Sequence, residues 1–242
     1  MIMLPQPPPN APAPPPSEAA LRSHRWWGWI WGVGLLSIVG LLIWGTQPVV
    51  IRSPKKADQT EAVSNARQIG LALLEFDSKY GKYPDPSTIS DVRKDAATDS
   101  NLSKMSLGTK SSNDYFRQLL AGGFTQSERM FYAGIHGAKK PDDNIKGAEA
   151  LKKGECGFAY LAGLSSEGNP SRPLIVTPLI PGTDRFDPTR FDGKAVILRV
   201  DNSVTSMNIN SSGHVMLNGK NLLDPTNPVW GKDDKFVIVW PE

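Results

Sequence analysis

The chain has 242 residues, with 27 lysines and arginines against 24 aspartates and glutamates. A net charge of +3 over that length gives no basic surface of the kind that holds nucleic acid, so we expect no nucleic-acid partner. The single cysteine, Cys156, excludes an intrachain disulfide, so a folded domain here must be stabilised by its core.

Residues 1–25 are predicted to form an extended, disordered tail. Eight of the first sixteen residues are proline, which lacks a backbone N–H and favours the polyproline II conformation. Such a tail serves as a spacer or as a ligand for a proline-binding domain, and the spacer is the favoured interpretation.

A transmembrane anchor is predicted at residues 26–45. These residues carry no charge, and their number matches the length of helix that crosses ~30 Å of hydrocarbon. Tryptophans lie near both ends, as expected at membrane interfaces: Trp26, Trp27, Trp29, Trp31 and Trp44. The alternatives are a buried core helix, for which so many tryptophans are unusual, and a cleavable secretory signal, for which no A-x-A pattern follows Gly45.

The charges that flank the anchor do not decide its orientation. Arg22 and Arg25 precede it, and Arg52, Lys55 and Lys56 follow it, so the positive-inside count is nearly balanced. Residues 46–56 are predicted to form a linker. Residues 57–242 are long enough for one domain of ordinary size.

The first element predicted for that domain is a helix over residues 57–80. Apolar residues recur there at spacings of three and four, which places them on one helical stripe: Val63, Ala66, Ile69, Leu73, Phe76 and Tyr80. Gly81 is a suitable C-terminal cap, and Pro84 prevents the helix from resuming. Leu71 and Leu74 lie off the stripe, so they either contact a partner or are covered by the loop at 81–110.

Later elements change from helices to strands. A short helix is predicted near Ile89, a second over 113–121 capped by Ser112, and a third at 127–132. Strand patterns begin at Phe158, and they occur at 158–162, 173–179, 195–200, 203–209, 214–217 and 236–240. Tight turns at 201–203 and 210–213 join neighbouring strands. This order predicts an α+β domain in which a long amphipathic helix packs on an antiparallel sheet.

The segment NARQIGLALLEFDSKYGKYPD, residues 65–85, resembles the end of the long helix in type IV pilins and type II secretion pseudopilins. It is also similar to a bacterial pilin-like family that carries a domain of unknown function and a late H-x9-D-G motif. In RFDGKAVILRVDNSV, residues 190–204, Phe191 stands at the histidine of that motif and Asn202 at its glycine. Asp201 matches the aspartate, so the late motif is degenerate here.

The resemblance implies a bacterial inner-membrane protein with its tail in the cytoplasm and a pseudopilin-like domain outside it. It implies a non-enzymatic role in secretion or envelope assembly, through contacts with copies of itself or with secretion-system proteins. The N-terminus departs from the family, because prepilins are cleaved after a glycine that precedes Phe-Thr-Leu-x-Glu and the anchor here contains no Glu. We therefore expect a pilin-like domain on an ordinary single-pass anchor in the lipid bilayer.

Enzymatic chemistry has few candidates in this sequence. A nucleophile needs a base within hydrogen-bond reach, and Cys156 with His214, or a serine with His136 or His214, are the available sets. Neither lies in a recognisable nucleophile motif, and G-x-S-x-G is absent. We expect Cys156 to be a small buried residue at the start of a strand, and we predict no catalytic residue and no cofactor.

Metal binding has two acidic candidates. Three histidines scattered at 24, 136 and 214 give no zinc spacing. Clustered oxygens that suit calcium occur at 142–144 and again at Asp184, Asp187 and Asp192, and the resemblance adds weight because the major pseudopilin carries a calcium loop. Neither cluster matches a known calcium loop, and both are typical of turns, so no metal site is predicted.

Two other functions remain open from the sequence. An anchored module for a polysaccharide or other envelope ligand would use aromatic side chains for stacking, and Tyr160, Trp230 and Trp240 are the candidates. An anchored hydrolase is the less favoured alternative.

Overall fold

A computed structural model describes residues 54–231 and 235–242. The predicted tail at 1–25, the predicted anchor at 26–45 and the first part of the linker lie outside the described residues. Within those two ranges, no helix has both the length and the apolar character that crossing a bilayer requires.

Helix α1 spans Pro54–Tyr80 and is the longest element among the residues that the structure describes. Its buried face includes Ile69, Leu73 and Phe76, which confirms the predicted stripe, while Glu75 and Lys79 are exposed as expected. The helix ends as predicted, because Gly81 adopts a φ of 75° and donates its N–H to Asp77 O at 2.7 Å.

Helix α2 spans Ile89–Ala96 and follows a 3-10 turn over Pro86–Thr88. The sequence predicts one short helix at this place, and the structure confirms it. Asp95 of α2 pairs with Lys79 Nζ at 2.6 Å and accepts a hydrogen bond from the Tyr80 hydroxyl at 2.9 Å. These two contacts fix α2 to the end of α1.

Helix α3 spans Ser112–Ala121, and all of its residues are buried. It begins one residue earlier than predicted, because Ser111 is the N-cap: its Oγ accepts the N–H of Asp114 at 3.3 Å. The predicted cap, Ser112, instead donates its hydroxyl to Phe158 O at 2.7 Å. Further 3-10 turns span Arg129–Phe131, Gly147–Glu149 and Pro228–Trp230, the first of them inside the predicted helix at 127–132.

The main sheet contains five antiparallel strands in the order β4-β3-β2-β1-β7. Their bounds are β1 Ala159–Ala162, β2 Pro173–Thr177, β3 Lys194–Arg199, β4 Val204–Asn208 and β7 Val237–Val239. Strands β1 and β2 are buried along their whole length, while the edge strand β4 is largely exposed. Helix α1 contacts β3 and β4, and α3 contacts β1 and α1. The predicted α+β fold, with helices and an antiparallel sheet, is confirmed.

A separate two-stranded hairpin pairs β5, Met216–Leu217, with β6, Lys220–Asn221. Its turn is Asn218-Gly219, with φ values of 53° and 77°. Both residue types tolerate the left-handed region, so they suit a two-residue turn with positive φ at both positions. Of the strand predicted at 214–217, Met216–Leu217 form a strand, and it belongs to this hairpin and not to the main sheet.

Candidate functional site

The outward face of α1 carries two exposed leucines. Leu71 is 54% exposed and Leu74 is 38% exposed, and they lie three residues apart on the same side of the helix. Exposed residues of opposite charge stand one turn before and one turn after Leu71, at Arg67 and Glu75. The loop at 81–110 therefore does not cover the leucines, and one of the two sequence interpretations is removed. We name Arg67, Leu71, Leu74 and Glu75 the outer face of α1.

A close contact between α1 and the β3–β4 hairpin sets which face of the helix points outward. A Cβ built on Gly70 would lie 2.0 Å from Asn202 Oδ1 and 3.0 Å from Leu198 Cδ1, so the helix approaches the hairpin where it has no side chain. Asn202 has a φ of 62°, a conformation that glycine and asparagine tolerate best. The degenerate motif thus keeps a residue suited to the backbone at its glycine position.

The other altered position of that motif, Phe191, is 1% exposed and belongs to the core. Its φ of 38° and that of Asp192, 57°, place both in the turn before β3. At the motif's aspartate position, Asp201 Oδ1 accepts the N–H of Ser203 at 2.9 Å, within the hairpin. These residues shape turns and packing.

Cys156 and His214 have different partners. Cys156 is buried, with its Sγ 3.6 Å from Ser112 Oγ and 3.5 Å from Phe158 O. Burial raises the pKa of its thiol to about 11, so the nucleophilic thiolate is scarce near neutral pH. His214 Nε2 lies 3.7 Å from Asp184 Oδ2 instead. The structure therefore does not bring these two together as a nucleophile and its base.

His136, the other histidine considered as a base, contacts an arginine. Its Nδ1 accepts a hydrogen bond from Arg190 Nη2 at 3.0 Å. An imidazole whose lone pair already accepts from a guanidinium is poorly placed to take a proton from a hydroxyl.

The aromatic residues considered for sugar stacking are mostly in the core. Trp230 and Tyr160 are fully buried. The Trp230 ring stacks on Phe236 with the centroids 3.8 Å apart, and its Nε1 donates to Leu222 O. Trp240 is partly buried and donates its Nε1 to Thr183 O at 3.0 Å. Neither Trp230 nor Tyr160 can stack on an external ligand.

Aspartates of the two acidic clusters noted in the sequence accept hydrogen bonds from the protein itself. Asp187 Oδ1 accepts the N–H and the hydroxyl of Thr189, which is a turn contact. Asp143 Oδ1 accepts the N–H of Glu128, fifteen residues earlier in the chain, and its other oxygen faces Arg129 Nε at 3.3 Å. Asp187 therefore caps local backbone, whereas Asp143 joins two separate loops.

A different acidic cluster forms that the sequence analysis missed. One carboxylate oxygen from each of Glu128, Asp142 and Glu155 lies within 4.8 Å of the other two. Glu128 and Glu155 are buried, and Asp142 is exposed. Separations of 13 to 27 residues match no spacing rule, so only the burial of two glutamates, which periodicity does not reveal, marks the site.

Comparison with protein-family models, with curated proteins and with solved structures finds no match to this chain. Its function is therefore argued from the geometry of the described residues together with the sequence.

Proposed function

We propose that this chain is a non-enzymatic, single-pass inner-membrane protein whose extracytoplasmic, pilin-like domain acts in secretion or envelope assembly through protein contacts. The observation that carries the proposal is the pair of exposed leucines on the outer face of α1. An apolar strip that is exposed on the outer face of a helix presents a docking surface for another protein.

Two further observations support a pilin-like domain. The segment that resembles pilins, residues 65–85, lies on α1 and on the turn after it. The helix packs on an antiparallel sheet, which is the arrangement that the resemblance implies. The separate environments of Cys156 and His214 support a role without covalent chemistry.

A second copy of this chain is the occupant that the charges of the outer face favour. Arg67 and Glu75 flank Leu71 on the same face, so an identical face offers each of them an opposite charge. Burying Leu71 and Leu74 against another copy would supply the apolar core of such a contact, and the charged pair would form its rim.

Membrane topology gives the first test. A reporter that is active only outside the cytoplasm, fused through a linker after Glu242, should be active, and the protein should need detergent for extraction. The mature protein should also keep its Pro-rich tail. Activity of a cytoplasm-only reporter at the same junction would overturn the orientation, and an N-terminus near Thr46 would show a cleaved signal in place of an anchor.

Photocrosslinking in intact membranes gives the second test. A photoreactive residue in place of Leu71 should yield an adduct of twice the monomer mass, and Leu74→Asp should reduce that adduct at least about tenfold while the fold survives. The same photoreactive residue in place of Lys94, which is exposed on α2, is the matched control and should give none. Absence of any adduct at position 71 would remove the contact role.

A charge exchange distinguishes a second copy from another partner. Arg67→Glu alone should weaken the adduct, because two glutamates then repel across the contact, and adding Glu75→Arg should restore it. If the double variant stays as weak as the single one, the occupant is a different protein and the self-association is wrong. Cys156→Ala and His214→Ala should leave the adduct unchanged.

A further inference from the structure

The acidic cluster of Glu128, Asp142 and Glu155 carries more negative charge than its surroundings neutralise. Among the described residues, the cation that pairs with the cluster is Lys152, whose Nζ lies 3.0 Å from Asp142 Oδ2 and 2.7 Å from Glu149 Oε2. Lys152 is thus shared with a carboxylate outside the cluster. Arg129, the nearest guanidinium in sequence, pairs with Asp143.

The hydrogen bonds of the cluster leave one buried oxygen without a partner. Glu128 Oε1 accepts the N–H of Leu151, and Glu155 Oε2 accepts the N–H of Lys152 at 2.6 Å. Glu128 Oε2 is buried, and no donor among the described residues reaches it. A fully buried carboxylate oxygen that lacks a donor costs free energy unless a cation or a proton neutralises the group.

The geometry suits one bound ion, because two oxygens on the same Ca²⁺, each at 2.3–2.6 Å, lie at most about 5 Å apart. The three carboxylate oxygens meet that limit.

We propose that Glu128, Asp142 and Glu155 bind a calcium ion. The two buried glutamates supply fixed oxygens, and the exposed Asp142 leaves the ion open to water for its remaining ligands. Oxygen-only ligands exclude the softer metals that prefer nitrogen or sulfur. Calcium accepts such an irregular set, whereas magnesium requires a near-ideal octahedron.

The ion would join three loops and hold them against α1. Glu128 directly precedes the Arg129–Phe131 turn, whose carbonyls at Arg129 and Tyr132 accept hydrogen bonds from Asn65 Nδ2 of α1 at 3.2 and 2.9 Å. Protein hydrogen bonds already connect both of the other loops to this turn, because Asp143 Oδ1 accepts the N–H of Glu128 at 2.8 Å and Gly157 donates its N–H to Phe131 O at 2.9 Å. A calcium ion at this position would add to these contacts and further stabilise the loops that cover the inner side of α1.

Calcium titration of the full chain in detergent, after removal of metals with a chelator, tests the proposal. Isothermal titration with CaCl₂ should show one site with a Kd on the order of 10⁻⁴ to 10⁻³ M, as in extracellular calcium modules. At ten times that concentration, the Tm should rise by roughly 3–6 °C. MgCl₂ should give a much smaller rise. No heat and no Tm shift with CaCl₂ at about 10 mM would overturn the site.

Variants separate the site from nonspecific binding to acidic surface. Glu128→Gln keeps an oxygen for the Leu151 N–H, so the protein should fold and should lose the calcium response. Lys152→Met removes the competing ammonium from Asp142 and should lower the Kd several-fold. Glu75→Gln, an exposed acid on α1, is the matched control and should respond as the unchanged protein does. A Glu128→Gln protein that still binds calcium with unchanged Kd would contradict the proposal.

Discussion

Replacing Gly70 with alanine tests whether the close contact between α1 and the β3–β4 hairpin positions the helix. The added Cβ would lie 2.0 Å from Asn202 Oδ1 and 3.0 Å from Leu198 Cδ1. Overpacking of this kind costs about 1–3 kcal/mol, while alanine regains about 1 kcal/mol of helix propensity over glycine. We therefore expect Gly70→Ala to lower the free energy of unfolding by roughly 0–2 kcal/mol.

The effect of Gly70→Ala on the free energy of unfolding should change sign when the Asn202 side chain of the hairpin is removed. Asn202→Gly deletes the contacting Oδ1, a buried atom that accepts no hydrogen bond from the described residues, and glycine suits a φ of 62°. In that background the added Cβ still lies 3.0 Å from Leu198 Cδ1, so the Leu198 side chain must move by a few tenths of an ångström. The helix propensity of alanine then makes the change neutral to about 1 kcal/mol stabilising.

Urea unfolding of the full chain in detergent, followed for the four proteins of a double-mutant cycle, measures the coupling between the two positions. We expect a coupling free energy of about 1–3 kcal/mol, with Gly70→Ala harmful alone and tolerated beside Asn202→Gly. A coupling below about 0.5 kcal/mol would mean that Asn202 rotates away freely and that this contact does not position α1.

Three other predictions concern the core and the ionisable groups. Phe76→Ala should cost about 3–5 kcal/mol in the same assay, because the ring is fully buried, whereas the exposed Glu75→Ala should cost less than about 0.5 kcal/mol. A loss below ~1 kcal/mol for Phe76→Ala would show a poorly packed stripe. Cys156 should resist iodoacetamide at about pH 8 until urea unfolds the chain, since burial raises its thiol pKa to about 11; prompt alkylation would contradict the burial. The hydrogen bond from Lys79 lowers the pKa of Asp95, so its stabilising effect is complete above the ordinary aspartate pKa and is lost as pH falls through the lowered one. Asp95→Asn should flatten the decline in Tm below about pH 4, where an ordinary aspartate begins to be protonated, and an unchanged decline would show that the pair contributes nothing.

The long helix could be predicted because its signal is local. Apolar residues at spacings of three and four predict the helix and its buried face. A glycine just past its end and a proline beyond that predict where it stops, so the whole signal lies within one segment. The structure confirms Leu73 and Phe76 on the inner side and leaves Leu71 and Leu74 exposed. A sequence cannot say whether a loop thirty residues long folds over a leucine, because that depends on contacts outside the helix.

The acidic cluster could not be predicted because it is assembled by three distant loops. Asp142 was visible as an acidic residue, but its neighbours do not complete a site: Asn144 donates its N–H to Asp142 Oδ1, and Asp143 Oδ1 accepts the N–H of Glu128. Glu128 and Glu155 stand alone in the sequence and meet Asp142 only in the folded chain. Cap positions show the same limit on a smaller scale, since adjacent serines at 111 and 112 are equally good caps until Ser112 is seen to bond Phe158.

The place of β7 in the sheet has a consequence for the order in which the domain can form during synthesis. Strand β1 pairs with β2 on one side and with Val237–Val239 on the other, so its outer edge stays bare until some seventy-five residues after it have left the ribosome. A bare, fully apolar edge invites pairing with other chains. We expect nascent chains that stall before residue 237 to be the ones that chaperones and proteases capture, and fragments that lack this segment to aggregate.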